Sequence, residues 1–521
     1  MSISKSPSKT SLRDATTGVE AQIGVKKDGS TNGLHVIAES GSTDINPNIV
    51  TFPSQNRSAF GDIMTESVEP ISQISGVYGL NGDTERFDAS TGTVGTIDGM
   101  YRCTTGTGIG GFGVIRTNRA TIYREGQGFM GRFTARFDAN AIANSLQFGG
   151  LFNLTDTVAF GYRGADFGIL FDTYGAPEIR QLDITTGGNG TLTLTLDGTA
   201  YSIPITTSEA SHNAHEIEDY MKANQDSWNV QGEGDNVIFQ SRSVGSRNGV
   251  YSVSGASLAG TFSQLEVGEA QENKTILQAD WNVNTADFLV PDKLNVYMIK
   301  ISYLGAGPIS FFVMDYTSQE YILVHRETFT GTAVKPSLSK RALKIGWAAA
   351  SLGSTTALEV FGGSAGTFIE GNSKIFGSAK SIDGTNSSVG SDFASIVSIR
   401  TKVTFQNKVM LGRIVPIGIY ISNDGAKRAE FSIGKNIEFG ETHYLSVGDD
   451  SIAQYAIDNN LITGSERFAL SGVVSAGGAF YVDLKDLDIE LQLEESLTVF
   501  GRKVSGTNVE MTATFVWKED Y

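Results

Sequence analysis

The residues whose types and spacing could do chemistry are few in this chain. Gly106-Thr-Gly108-Ile-Gly110-Gly111 satisfies the G-x-G-x-x-G spacing that lets a backbone approach a pyrophosphate. That chemistry also needs a helix N-terminus facing the phosphate. The next residues, Phe112 to Tyr123, read as a strand, so the glycines imply a tight or flexible loop. His212 and His215 stand with Glu216 and Asp219 at helical spacing, a geometry open to a two-His, carboxylate metal site. With no Cys partner and no H-E-x-x-H, a solvated polar helix face is the favoured reading. Asp486, Asp488 and Glu490 alternate with Leu487, Ile489 and Leu491, and with Asp483 and Glu494 they offer carboxylate oxygens of the kind Ca²⁺ takes. Alternating acids also protect a sheet edge, and that is the favoured reading here.

Hydrolytic constellations are missing. Asp166 and Asp172 lie six apart on or near one strand, and no strand-borne E-x-D-x-x-E pattern supplies the carboxylate pair of a glycosidase. The five histidines (His35, His212, His215, His325, His443) sit in no nucleophile elbow, and G-x-S-x-G does not occur. His325 ends an apolar run and reads as a structural histidine. Cys103 lacks a local activating cue and reads as a small core residue. As the single cysteine, it excludes an intrachain disulfide and a Cys-based zinc site. The expectation is no enzyme, no catalytic, cofactor-binding or metal residue, and no cofactor.

The elements that would position any site are β-strands. Among 521 residues, 61 are Gly and 10 are Pro, with 10% aromatic and 19% charged side chains, which suits short strands joined by tight turns. A net charge of −17 disfavours a nucleic-acid binder, because phosphate contacts need cations. No apolar run approaches the ~18 residues of a membrane helix. Met1–Arg13 is Ser/Lys-rich without the apolar centre of a secretory signal.

Period-2 patterning places an antiparallel β-sandwich at 49–184 plus 270–376, for example Phe133, Ala135 and Phe137 against Arg132, Thr134 and Arg136. Between its halves, Leu192, Leu194 and Leu196 meet Tyr201, Ile203 and Ile205 across Asp197-Gly198, a hairpin signal. The period then shifts to 3.6 at Ala210, Ala214, Ile217 and Met221, with Ser208 or Ser211 as cap. Trp228–Val230 and Val237–Phe239 form a second hairpin, giving an inserted β-β-α-β-β module at 185–269. Residues 1–48 read as an anchoring arm with a hairpin about Asp28-Gly29, and 377–389 as a linker. Residues 390–521 read as a second, jelly-roll-like β domain with a short helix at Ser451–Asn459, a strand about Leu487–Leu493 and a last strand Val509–Trp517. The fold class is therefore mainly β, with two antiparallel sandwiches and one small α+β insertion.

Several runs carry a family resemblance. These are Asn56-Arg-Ser-Ala-Phe-Gly-Asp-Ile, Glu69-Pro-Ile, Val77-Tyr-Gly-Leu, Tyr123-Arg-Glu-Gly-Gln-Gly-Phe, Phe133-Thr-Ala-Arg-Phe-Asp, Phe148-Gly-Gly-Leu-Phe, Ala279-Asp-Trp-Asn-Val-Asn and Gly366-Thr-Phe-Ile-Glu-Gly. Over residues 50–371 the chain resembles β-rich virion structural proteins of tailed phages and large DNA viruses. The resemblance implies a non-enzymatic fibre, spike, baseplate or capsid-vertex component located in the virion. Neighbouring virion proteins would bind through residues 1–48, and the number of copies implied is three. Symmetric association through strand edges is the physical motive for a homo-oligomer, with Val509–Trp517 as the candidate contact. The alternative reading is a carbohydrate-binding or depolymerising receptor protein for a host surface glycan, with Trp281, Trp347 or Trp517 as aromatic platforms.

Overall fold

A computed structural model describes residues 68–124, 126–138, 142–302, 304–371, 379–437, 443–458, 470–487, 489–493 and 495–521, together with three short strands ahead of them. The chain divides into two compact units, 1–66 and 67–521. In the first, Glu20–Gly24 pairs antiparallel with Thr10–Arg13 on one side and His35–Ala38 on the other. The expected hairpin is therefore present, its turn lying outside the described residues. The unit ends at Glu66 rather than at residue 48.

The second unit is layered antiparallel sheet throughout, as its period-2 patterning predicts. Its main sandwich opposes a nine-stranded and an eight-stranded sheet. Phe129–Phe137 runs through the middle of the first and Ala342–Ser351 through the second. Alternate side chains of a strand share a face, so Phe129, Phe133, Ala135 and Phe137 all point into one buried layer. There Phe133 stacks on Tyr297 at 5.3 Å and Phe160 meets Tyr297 at 4.8 Å. Trp347 is fully buried and donates its indole N–H to Thr134 O at 2.9 Å. Its ring lies where a Cβ on Gly362 would stand, 1.9 Å from Trp347 Cε2, so that strand position admits only glycine.

The insertion begins earlier than its hairpin signal. Pro177–Thr186 already pairs with Asn236–Val244 and Ala259–Glu266, so the inserted sheet opens at 177, not 185. The step from Ile179 to Leu182 breaks the alternation, and the two sides face different clusters, Ile179 with Val403 and Leu182 and Ile184 with the module's own core. Reciprocal backbone bonds of 2.9 Å between Ala176 and Glu269 close the insertion at its base. The Asp197-Gly198 turn has φ of 53° and 82° at its two central residues, the left-handed pair that a two-residue hairpin demands. The helix spans Ala210–Asn224 and buries Ala214, Ile217 and Met221 on the module's sheets. Its N-cap is Glu209, without a side-chain cap bond, in place of the expected serines.

The C-terminal domain packs a four-stranded on a six-stranded sheet. Three expectations fail here. Lys380–Val389, read as linker because of its Ser, Gly and Asn, is a strand paired with Val509–Asp520. The segment Ser451–Asn459 holds the strand Ala453–Ala456 instead of a helix, its backbone taken by Ala394–Thr401. Among the described residues of 487–493 there is no continuous strand, since one 3-10 turn at Lys485–Leu487 precedes an isolated bridge at Leu491. The last strand also overturns its assigned role. Val509, Met511, Ala513, Phe515 and Trp517 are at most 1% exposed and face the domain's own core, so this face is closed to another subunit.

Phe515→Ala should therefore destabilise the C-terminal domain by about 3–5 kcal/mol, the cost of emptying an aromatic core site. Denaturant unfolding followed by tryptophan fluorescence measures it. A loss below about 1 kcal/mol would mean the strand is not central to this core.

Candidate functional site: an open aromatic and polar sheet face

One face of the four-stranded sheet is not covered. Directly opposite residues in antiparallel strands share a face, so the register writes out one row across it. Asp383 pairs with Thr514, Thr514 with Tyr420, and Tyr420 with Tyr481. Three inter-strand steps give this row a span of about 14 Å. Tyr420 is 56% exposed and Tyr481 41%, and their ring centroids are 4.7 Å apart. Tyr481 lies over Gly418, where a Cβ would stand 2.3 Å from the tyrosine oxygen. The glycine lets the ring lie along the sheet. Beside the row, Thr385 and Thr512 share a hydroxyl hydrogen bond of 2.9 Å. Phe480, half exposed at the sheet edge, contacts Phe431 at 5.8 Å. The face thus combines two aromatic rings with hydroxyl and carboxylate groups. Tyrosine suits such a surface because an apolar ring carries a polar tip.

The alternation of the last strand is legible in the sequence, but only for its inward half. The tryptophans named as platforms are elsewhere: Trp281 is 5% exposed, and Trp347 and Trp517 are fully buried. A strand-by-strand search for the outward residues of the same sheet would have found Tyr420 and Tyr481.

The other candidate residues are accounted for by structure. The glycine loop turns between the strands Met100–Thr104 and Phe112–Thr117, with Gly106 and Gly110 at positive φ and no helix after it. Cys103 is fully buried, and burial pushes its thiol up to about 12. Asp172 is buried and bound to Arg163 at 2.5 Å, while Asp166 is exposed, so the two make no catalytic pair. His325 is buried, taking the Asn282 N–H at 3.2 Å and facing Glu327 at 3.4 Å. Glu490 does not share a strand face with its neighbours. It is buried against Arg413, at 2.8 and 2.9 Å, and against Arg119. Those two arginines answer its charge where the sequence pattern offers Ca²⁺. Asp483 is exposed and accepts the Lys485 N–H at 3.1 Å, while the Asp486 side chain, Asp488 and Glu494 lie outside the described residues. Among the described residues, no three of His, Cys, Asp and Glu are placed to hold a metal ion. A shallow depression of about 430 Å³ on this domain has Asp392 as its one carboxylate, whereas glycoside hydrolysis uses two.

Two seams of buried charge hold this domain in place. On one side Glu490 and Asp520 receive Arg413, and from the main sandwich Arg119 and Arg124 reach the same two carboxylates. On the other side Arg400 meets Glu218 of the inserted helix at 2.6 and 3.2 Å and donates to Gly232 O at 2.9 Å. The spacing of His215 suggests a solvated helix face. His215 and Glu218 are instead buried, because that face is the one covered by the C-terminal domain. Burial pushes the Glu218 carboxyl up, but Arg400, His215 and Lys222 outweigh it and hold the group well below the usual carboxylate range.

No family model matches the chain, and no curated protein matches it. Among solved structures, the VIP36 exoplasmic/lumenal domain in its Ca²⁺/Man3GlcNAc-bound form aligns at 10% identity, covering 60% of this chain and 93% of that one, with a TM-score of 0.26. Arcelin-5, a lectin-like defence protein from Phaseolus vulgaris, aligns at 9% identity over 57% of this chain and 99% of its own, with a TM-score of 0.22. Lectin II from Ulex europaeus aligns at 8% over 58% and 100%, at 0.21. TM-scores of this size assign the chain neither a family nor a ligand.

Removing one partner of a buried ion pair leaves the other charge unsolvated, at a cost of about 3–5 kcal/mol. Glu218→Gln should therefore lower the midpoint of C-terminal unfolding, and adding Arg400→Met should restore part of it. Because the Glu218 pKa is depressed in the folded chain, its contribution is full above the ordinary carboxylate value of 4.5 and is lost as pH falls through the lowered one. An E218Q variant as stable as the parent at pH 7 would remove the seam from the account.

Proposed function

We propose that this chain is a non-enzymatic attachment protein that binds a surface carbohydrate through the row Asp383, Thr514, Tyr420 and Tyr481. The observation that carries this reading is the open pair Tyr420–Tyr481, with rings 4.7 Å apart on a sheet otherwise committed to its own core. A saccharide has C–H faces that pack on aromatic rings and hydroxyls that pair with Thr and Asp side chains. A flat face without a cleft suits holding such a polymer more than cutting it. The virion setting rests on the resemblance over residues 50–371, and the two charged seams suit a particle component that holds a binding face in one orientation at neutral pH. Association into three copies belongs to the same proposal, through surfaces other than the buried face of Val509–Trp517.

A glycan array probed with the full chain should give a defined set of neutral saccharides. Tyr481→Ala and Tyr420→Ala should each weaken binding about tenfold or more, the loss of roughly 1.4 kcal/mol of contact, with unchanged circular dichroism. Retained binding in both variants would remove this face from the proposal. Release of shorter oligosaccharides from the bound polymer would overturn the non-enzymatic reading. Light scattering at a single 55.6 kDa mass would overturn self-assembly in solution.

A further inference from the structure

Three of the chain's five histidines meet where the inserted helix touches the C-terminal domain. His212 and His215 lie on the helix, and His443 belongs to the C-terminal domain, beside Tyr444. The His443 ring centroid is 3.6 Å from that of His212 and 5.2 Å from that of His215. Each Nδ1 faces a carboxylate: His212 faces Glu209 at 2.9 Å, His215 faces Glu218 at 3.1 Å, and His443 faces Asp458 at 3.4 Å. His215 Nε2 is buried without a hydrogen-bond partner. The cluster is a contact between two folded parts of the chain, and histidine is the side-chain type that serves as a switch near physiological pH.

We propose that His212, His215 and His443 form a proton-operated latch, closed when the rings are neutral and loosened when they are protonated. The charged groups around it set the sign. From the helix come Glu209, Glu218, Lys222 and Asp219, the last near enough to His215 and Arg400 for both to act on its charge. From the strand Trp228–Glu233 comes Glu233, held by Lys402 at 3.3 Å. From the C-terminal domain come Arg400, stacked on Tyr444 at 3.9 Å, and Asp458. Glu218 is already matched by Arg400 and by Lys222 at 2.6 Å. Glu209 is 67% exposed, so solvent screens its pull on His212. That leaves Asp219, whose carboxyl is pushed up by burial and by Glu218, and Asp458 to answer protons on rings in contact. Burial lowers the His443 pKa below its ordinary value of 6.5, and the neighbouring histidines lower it further against the opposing pull of Asp458. A base whose folded pKa is depressed binds protons more readily when released. The latch is thus fully closed above pH 6.5 and weakens as pH falls through the lowered value.

Hydrogen exchange by mass spectrometry on the full chain tests this at pH 7.5 and 5.0, after correction for the intrinsic pH dependence of exchange. Peptides covering 210–224 and 443–456 should exchange at least about twofold faster at pH 5.0 and recover on return to pH 7.5. Peptides from 129–137 should not change. His443→Asn, which keeps a polar group opposite Asp458 but does not titrate, should reduce the difference. Should that variant fail to fold, His212→Asn at the 28%-exposed ring serves the same purpose. Equal corrected protection at both pH values overturns the latch, as does an undiminished pH effect in the variant. Protection of the same peptides by Zn²⁺ at pH 7.5, reversed by EDTA, would also overturn it, because the histidines would then be ligands for a metal.

Discussion

The Glu218 carboxylate is the point on which the arrangement of the second unit depends. Its oxygens take the Arg400 guanidinium from the C-terminal domain, the Gly232 N–H at 2.7 Å from the inserted sheet, and Lys222 from its own helix. One charge thereby fixes the position of three elements at once. A buried ion pair contributes little net stability, since desolvation offsets most of its attraction. What it does supply is a steep penalty for any other alignment. Gln231 extends the same alignment by donating to Thr401 O at 2.9 Å and accepting the Val403 N–H at 2.8 Å. Apolar contact at this junction is small by comparison, with Ile179, Ile238 and Val403 forming a minor cluster. Orientation here is set by polar matching and the cores by apolar burial.

This division explains what could be read from the sequence. The central sandwich strands, the Asp197-Gly198 turn and the helical stripe follow from local periodicity, and each appears where the pattern places it. The expectations that failed concern residues whose environment is made by distant chain. Lys380–Val389 has the composition of a linker, yet Val509–Asp520 offers it a complete hydrogen-bonding edge, and pairing overrides propensity. Leu487 to Leu493 alternates well but finds no continuous partner strand. Its Glu490 is drawn instead to Arg413 and Arg119, 77 and 371 residues away in sequence. No local signal distinguishes a glutamate that will be buried from one that stays in water.

The candidate face was hidden for the same reason in reverse. Tryptophan is the conspicuous aromatic for a binding platform, but its size makes it equally useful at the centre of a core, and here the four tryptophans are at most 5% exposed. Tyr420 and Tyr481 lie 61 residues apart and become neighbours only once the register of two strands is known. His443 is legible as a residue and illegible as a member of a cluster, because its partners lie on a helix more than 200 residues earlier.

The distribution of charge then constrains what the open face can hold. The chain has 40 basic residues against 57 acidic ones, and several cations are spent inward: Arg400 and Arg413 are almost wholly buried, and Lys402 nearly so. Those cations lie against buried carboxylates such as Glu218 and Glu490, so the exterior keeps the acidic balance of the sequence. Asp383 adds a carboxylate to the row itself, and it is exposed. A sulfated or otherwise anionic polymer would meet repulsion at that end, falling off over roughly 8 Å at physiological salt. A ligand of the proposed kind would therefore be neutral and rich in hydroxyls, with apolar faces for Tyr420 and Tyr481.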